Sequence, residues 1–199
     1  MNTFARQEIR SLAAGLCLLA LLAGASPAAD PASPKSAIRK WPAPARAIAR
    51  VMLEKYGKPA QFDDHLLVWF NKGAWKKTIV ARQGLRRAAD GTQRDFLQQT
   101  VGYIVPEAKV AELKRFNDRV EVSTTAGELT FTSNSEATNL LALNLADEIV
   151  TGKRSVADAR AFFTKTTRLS ASGKSSPYRD GLRFEVDNTR VMTPTGGDR

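Results

Sequence analysis

One stretch restricts the possible folds more than any other: Ala137-Thr138-Asn139-Leu140-Leu141-Ala142-Leu143-Asn144-Leu145-Ala146-Asp147-Glu148-Ile149-Val150. A surface helix carries its apolar residues on one stripe. Here leucines fall on nearly every side between positions 140 and 145, so the helix has to be enclosed for most of its circumference. Ser133 and Glu136 have the spacing of a capping box, and Gly152 ends the run, which sets a largely buried helix near 135–151. The rest of the chain must supply what surrounds it.

Upstream, Leu66-Leu67-Val68-Trp69-Phe70 and the segment 75–81 are separated by Asn71-Lys72-Gly73, a composition that provides the positive φ of a hairpin turn. A period of two puts Trp75, Lys77, Ile79 and Ala81 on one side of the second strand and Lys76, Thr78 and Val80 on the other. Residues 96–105 have enough aromatic and β-branched character for a third strand. Val120 and Val122 alternate in step with Leu129 and Phe131 across Ala126-Gly127, giving a second hairpin over 120–124 and 128–132.

Pro42 and Pro44 open a helix whose apolar positions are Ala45, Ile48, Met52 and Tyr56 and which stops at Gly57. Pro106 opens another, 107–117, with Val110, Leu113 and Phe116 on one stripe. Ser155 and Asp158 start a third that reaches about Thr167 and turns Val156, Ala159, Phe162 and Phe163 inward. Leu182-Arg183-Phe184-Glu185-Val186 alternates as a closing strand. Adjacent strands without regular strand–helix alternation predict an α+β single domain over 41–191, an antiparallel sheet built from hairpins and packed against helices.

The amino terminus has a separate logic. Arg6 and Arg10 precede an apolar run from Leu12 to Leu22, followed by small residues up to Ala29, the layout of a secretory signal peptide. The run is shorter than the roughly 20 apolar residues a spanning helix needs. Cleavage fits after Ala25 or after Ala29, and the preferred division is a signal peptide 1–29, a flexible Pro/Ala/Ser-rich linker 30–40 and a disordered tail 192–199.

Removal of 1–29 takes away Cys17, the sole cysteine, and leaves 28 basic and 19 acidic residues, a net charge of +9. Thiol nucleophiles, zinc–thiolate sites and redox pairs are then excluded from the mature chain. A basic balance attracts polyanions. Export points away from nucleic acid and toward an anionic envelope component or another envelope protein in a bacterial periplasm or outside the cell.

Trp41-Pro42, Tyr56-Gly57-Lys58-Pro59, the stretch 147–153, and Val156 with Ala159-Arg160 resemble a family of small exported bacterial proteins with no assigned activity. The resemblance spans most of the mature chain. It implies export and carries no mechanism.

Catalytic chemistry finds little support. His65 is the sole histidine, and no Gly-x-Ser-x-Gly elbow presents a serine to it. Asp63-Asp64-His65 groups three potential ligands, but neighbours in sequence rarely converge on one ion, so no metal site and no cofactor is expected. Asp147 and Glu148 would have burial to raise a pKa in a hydrolase of envelope polymers. As helix neighbours, though, they point about 100° apart and cannot flank one bond.

Asn139 and Asn144, set among leucines, need hydrogen-bond partners. The candidate binding residues are therefore Trp69, Trp75, Lys76 and Lys77 on the first hairpin, with Asn144 and Asp147 on the enclosed helix. The leading expectation is a non-catalytic envelope binding protein, and the alternative is the acidic hydrolase.

Overall fold

The computed structural model describes residues 33–87 and 91–189. The expected signal peptide, residues 30–32 of the expected linker, and the tail 192–199 lie outside them. The remainder of that linker is not flexible coil. Ser33 caps α1 (Pro34–Ala37), a 3₁₀ helix follows over Ile38–Lys40, and Ala37 and Ile38 are buried. Apolar Ala37, Ile38 and Trp41 dock this turn onto the domain, which a reading based on Pro and Ser content passed over.

Helix α2 (Ala43–Tyr56) buries Ala45, Ala49 and Met52 and ends at Gly57, whose φ of 72° suits glycine. The chain then forms β1 (Gln61–Phe62), β2 (Leu66–Lys72) and β3 (Trp75–Ala81), with Asn71 and Gly73 both at positive φ in the hairpin. A small ribbon of β4 (Arg86–Arg87) and β5 (Gln93–Arg94) precedes β6 (Leu97–Gly102) and α3 (Glu107–Phe116). The second hairpin is β7 (Val120–Ser123) with β8 (Glu128–Ser133). It leads into α4 (Glu136–Val150) and α5 (Val156–Ala171), which runs one turn beyond the expected end.

Six strands form one open antiparallel sheet in the order β1-β2-β3-β6-β8-β7. The domain is α+β, with helices packed on the sheet. One row crosses it as Trp69, Thr78, Gln99, Phe131 and Val120, and the next as Leu67, Val80, Leu97 and Ser133. Because side chains alternate along each strand, these rows share one face, and all nine residues are buried.

Two clusters make up the core. Trp41, Ala45, Ala49 and Met52 cover the β2–β3 end of the sheet, while α3, α4 and α5 close over Val101, Val120, Leu129 and Phe131. Tyr56 packs against both.

Helix α4 is enclosed as expected, with ten of its residues buried, including Leu140, Leu141, Leu143 and Leu145. Its cap is Ser135, whose hydroxyl accepts from Thr138 N at 3.2 Å, and not Ser133. Ser133 lies at the end of β8 and donates to Asn139 Oδ1 at 2.5 Å, while Asn139 Nδ2 donates to Gln99 Oε1 at 2.9 Å. These buried polar groups satisfy one another and tie α4 to the middle of the sheet.

The expected closing strand is absent. Residues 182–186 join no ladder, although Leu182, Phe184 and Val186 pack on the core as their alternation foretold. They belong to a C-terminal strap, 177–189. The alternation reported which side chains face inward, while the main chain of 182–186 pairs with no strand.

Candidate functional site

The first hairpin does not form an aromatic ligand platform. Trp69 and Trp75 are 1 % and 2 % exposed, and their indole N–H groups donate inward, to Gly57 O at 3.0 Å and to Glu136 Oε1 at 2.6 Å. Trp75 therefore joins the core rather than sharing an open face with Lys77. Lys76 Nζ lies 2.9 Å from Glu128 Oε1 with its side chain mostly buried, and Lys77 is half-buried.

Asn144 and Asp147 are brought near the same segment and given structural work. The Asn144 amide donates to Tyr178 O at 3.0 Å and Gly181 O at 2.9 Å, and its oxygen accepts from Arg183 N at 2.7 Å. Its partner is thus the strap, in contrast to the sheet that Asn139 binds. Asp147 accepts from Tyr103 OH at 2.8 Å. Glu148 accepts from Tyr178 OH and from Arg154 Nε. Each of the two carboxylates considered for a hydrolase is held by neighbours within the fold.

His65 is exposed in the turn between β1 and β2, where Asp63 Oδ1 accepts from the main-chain N–H groups of His65 and Leu66 at 2.7 and 2.8 Å. Asp63 is a turn former here. Among the described residues no group of three His, Cys, Asp or Glu side chains is placed to hold a metal ion.

Sequence reasoning missed the carboxylate with the richest surroundings. Glu136, read as a capping residue, opens α4 and accepts from Tyr56 OH, Trp75 Nε1 and Lys55 Nζ, the last at 2.5 Å. Burial works against its charge, but the three donors outweigh it and hold the carboxyl below the ordinary glutamate range. Tyr56 is pushed up, first by burial and then by Glu136. Three sequence-distant donors converge on one oxygen pair, which local spacing could not reveal.

The other missed feature is the distribution of cations. Three adjoining shallow grooves of 430 to 510 Å³ run from the α4–α5 turn along α5 to the end of α3, neighbours sharing Lys165 or Arg160 in their walls. Lys114, Arg115, Lys153, Arg160, Lys165 and Arg168 line them, all exposed. None of the six forms an ion pair among the described residues. Two carboxylates share these grooves: Asp118 pairs with Arg86, and Asp158 keeps its charge while accepting from the cap Ser155. The recurrence of Arg160, Lys165 and Arg168 along one helix was the signal available in the sequence.

The fold and this surface define a class, a helix-covered antiparallel α+β domain with a basic helical face. Among the described residues no helix is long and apolar enough to cross a membrane. No family model, curated protein or solved structure matches the chain.

Proposed function

We propose that this chain is an exported, non-catalytic binding protein that takes an anionic envelope component on the basic face of α5. The observation that carries the reading is the run of six exposed cations over adjoining grooves whose linings hold two carboxylates, one of them, Asp118, already paired with Arg86. Charges closer than a Debye length, about 8 Å at physiological salt, add to one field, and cations strung along a helix and its neighbour favour an extended polyanion over a single small ion. Export comes from the leader layout and from the resemblance to small exported bacterial proteins. It supplies the compartment in which such a partner would be met.

The test is retention on dextran sulfate and co-sedimentation with phosphatidylglycerol vesicles at low and high salt. Binding to at least one, weakened by salt and by Arg160→Glu with Lys165→Glu and Arg168→Glu, is the expected result. Binding indifferent to the triple charge reversal removes the proposed surface. Amino-terminal sequencing of protein from its host should begin after Ala25 or Ala29. A start at Met1 in the cytosol would falsify the export part.

A further inference from the structure

A second basic groove lies apart from α5, in the angle between the α1–3₁₀ segment and α2. The two arms join covalently at Trp41-Pro42, so they form a V that is closed at that end. One arm carries Lys35 and Arg39, the other Arg46, Arg50 and Glu54, each set at helical spacing, with 690 Å³ between them. That size falls in the range of small-molecule sites. The arm with Lys35 and Arg39 is pinned from beneath, because Ala37, Ile38 and Trp41 are buried and Trp41 Nε1 donates to Asp64 O at 2.9 Å.

Four cations therefore converge on one concavity against a single carboxylate, Glu54. None of the four forms an ion pair among the described residues, not even Arg50 with Glu54 one turn away. Arg46, half-buried near the apex, donates through Nη1 to Arg39 O at 3.1 Å and to Trp41 O at 3.3 Å. Its guanidinium thus has neutral acceptors and no counter-charge, and the same bonds hold the two arms at a fixed angle. Lys35, Arg39 and Arg50 are exposed. A concave surface lined by one sign of charge focuses its field on whatever enters.

An extended polymer needs a track open at both ends, and this V is shut at Trp41-Pro42. A lone monovalent ion would leave most of the cations unanswered. From this combination we infer that the groove binds one compact oligophosphate, a small soluble molecule carrying two or more linked phosphate groups. Arg39 and Arg50, on opposite arms, have planar forks that suit paired phosphate oxygens, and Lys35 adds a point charge away from the apex. Arg46 sets the angle of the arms and contributes its uncompensated charge. The ligand supplies the counter-charge that the fold leaves out. This stands whether or not α5 binds a polymer.

The probe is inorganic tripolyphosphate at physiological salt, followed by calorimetry and by amide chemical shifts on the whole protein. Saturable one-to-one binding is expected, with shifts concentrated in residues 35–54. Orthophosphate should bind at least about tenfold more weakly, since it cannot reach both arms at once. Arg39→Glu with Arg50→Glu should weaken tripolyphosphate binding by about tenfold or more. The α5 triple reversal removes more positive charge, yet should weaken it by no more than about twofold, because distant charges are screened. Pyrophosphate and uridine diphosphate, run side by side, assign the source within the inference: tighter binding of the ester marks an organic diphosphate, and equal or weaker binding marks the inorganic chain. The inference is overturned by shifts that map to α5, by orthophosphate binding equally well, by an unaffected Arg39/Arg50 variant, or by no saturable binding. Should the reversal fold poorly, Arg39→Gln with Arg50→Gln and the shift map on the unaltered protein decide.

Discussion

Asn188 closes a gap in the sheet by accepting the Gly102 main-chain N–H on Oδ1 at 2.9 Å, while Nδ2 of the same amide donates to Ala74 O at 3.0 Å. The β3–β6 ladder ends at Lys77 and Thr100, so beyond it Gly102 has no strand on that side. Asp187 N donates to Gly102 O at 2.9 Å and completes the repair. A Cβ built on Gly102 would stand 1.7 Å from Asp187 O. Gly102→Ala should therefore push the strap off and destabilise the domain by about 1–3 kcal/mol, read as a lowered urea midpoint. A midpoint equal to wild type would show that the strap is loosely held.

Asn144 makes three main-chain bonds to the strap from a side chain 1 % exposed. Asn144→Leu keeps the branched shape in a somewhat larger side chain and strands two carbonyls and one N–H. A loss of about 2–3 kcal/mol is expected, moderated by water reaching the strap from outside. Faster hydrogen exchange at Arg183 than in the core of α4 is the local signature to look for.

The Glu136 carboxyl titrates below its ordinary value near 4.5, so its contribution to stability is fully present above that pH and is lost as pH falls through the lower folded value. Glu136→Gln should flatten the acid limb of the stability profile, below about pH 4.5, relative to wild type. At neutral pH it should cost about 1–2 kcal/mol, because Gln can still accept from Tyr56 or Trp75. Lys55 is half exposed, so its share of this is small. An unchanged acid limb in denaturant titrations would count against this role.

Tyr56, Tyr103 and Tyr178 are the three tyrosines of the chain, and all are held above the ordinary phenol range. Burial leads for Tyr56 and Tyr103, each beside a carboxylate, and the Glu148 hydrogen bond leads for Tyr178. A raised folded value means that their contribution is intact below about pH 10 and is lost as pH climbs through it, since only the unfolded chain ionises freely there. Ultraviolet titration near pH 10 should show less tyrosinate in native protein than in urea, where about half of the tyrosine is ionised at that pH. A native titration with one ordinary tyrosine would place that residue outside its described contact.

Where the sequence was legible, periodicity and turn chemistry acted locally. Asn71 and Gly73 turn the first hairpin, Ser155 caps α5, and the leucines of α4 are enclosed because no helix with apolar residues all round can face water. The misreadings have local causes too. Two serines two residues apart compete for the α4 cap, and composition cannot tell that Ser135 has the extended backbone a cap needs. Leu182, Phe184 and Val186 gave the correct inward pattern, but the main chain beside them is met at Gly181 and Arg183 by the Asn144 side chain and pairs with no strand.

The candidate surfaces were less legible for a different reason. Both basic grooves are assembled from separate elements, Lys114 with Arg160 in one case and Arg39 with Arg50 in the other. Packing decides which scattered cations become neighbours. The tryptophans of the first hairpin illustrate the converse: residue type suggested a ligand platform, and the weight of apolar area drew both inward.

Because the strap is the last part of the domain to leave the ribosome, α4 is complete some thirty residues before Tyr178, Gly181 and Arg183 arrive to occupy Asn144. Until then a leucine-rich helix has a thirsty amide on its flank, and Gly102 waits unclaimed at the parting of two strands. A domain cut before Asn188 lacks the side chain that joins Gly102 to Ala74. Closing the domain with its last segment would suit the proposed export, because a polypeptide that locks late stays threadable longer.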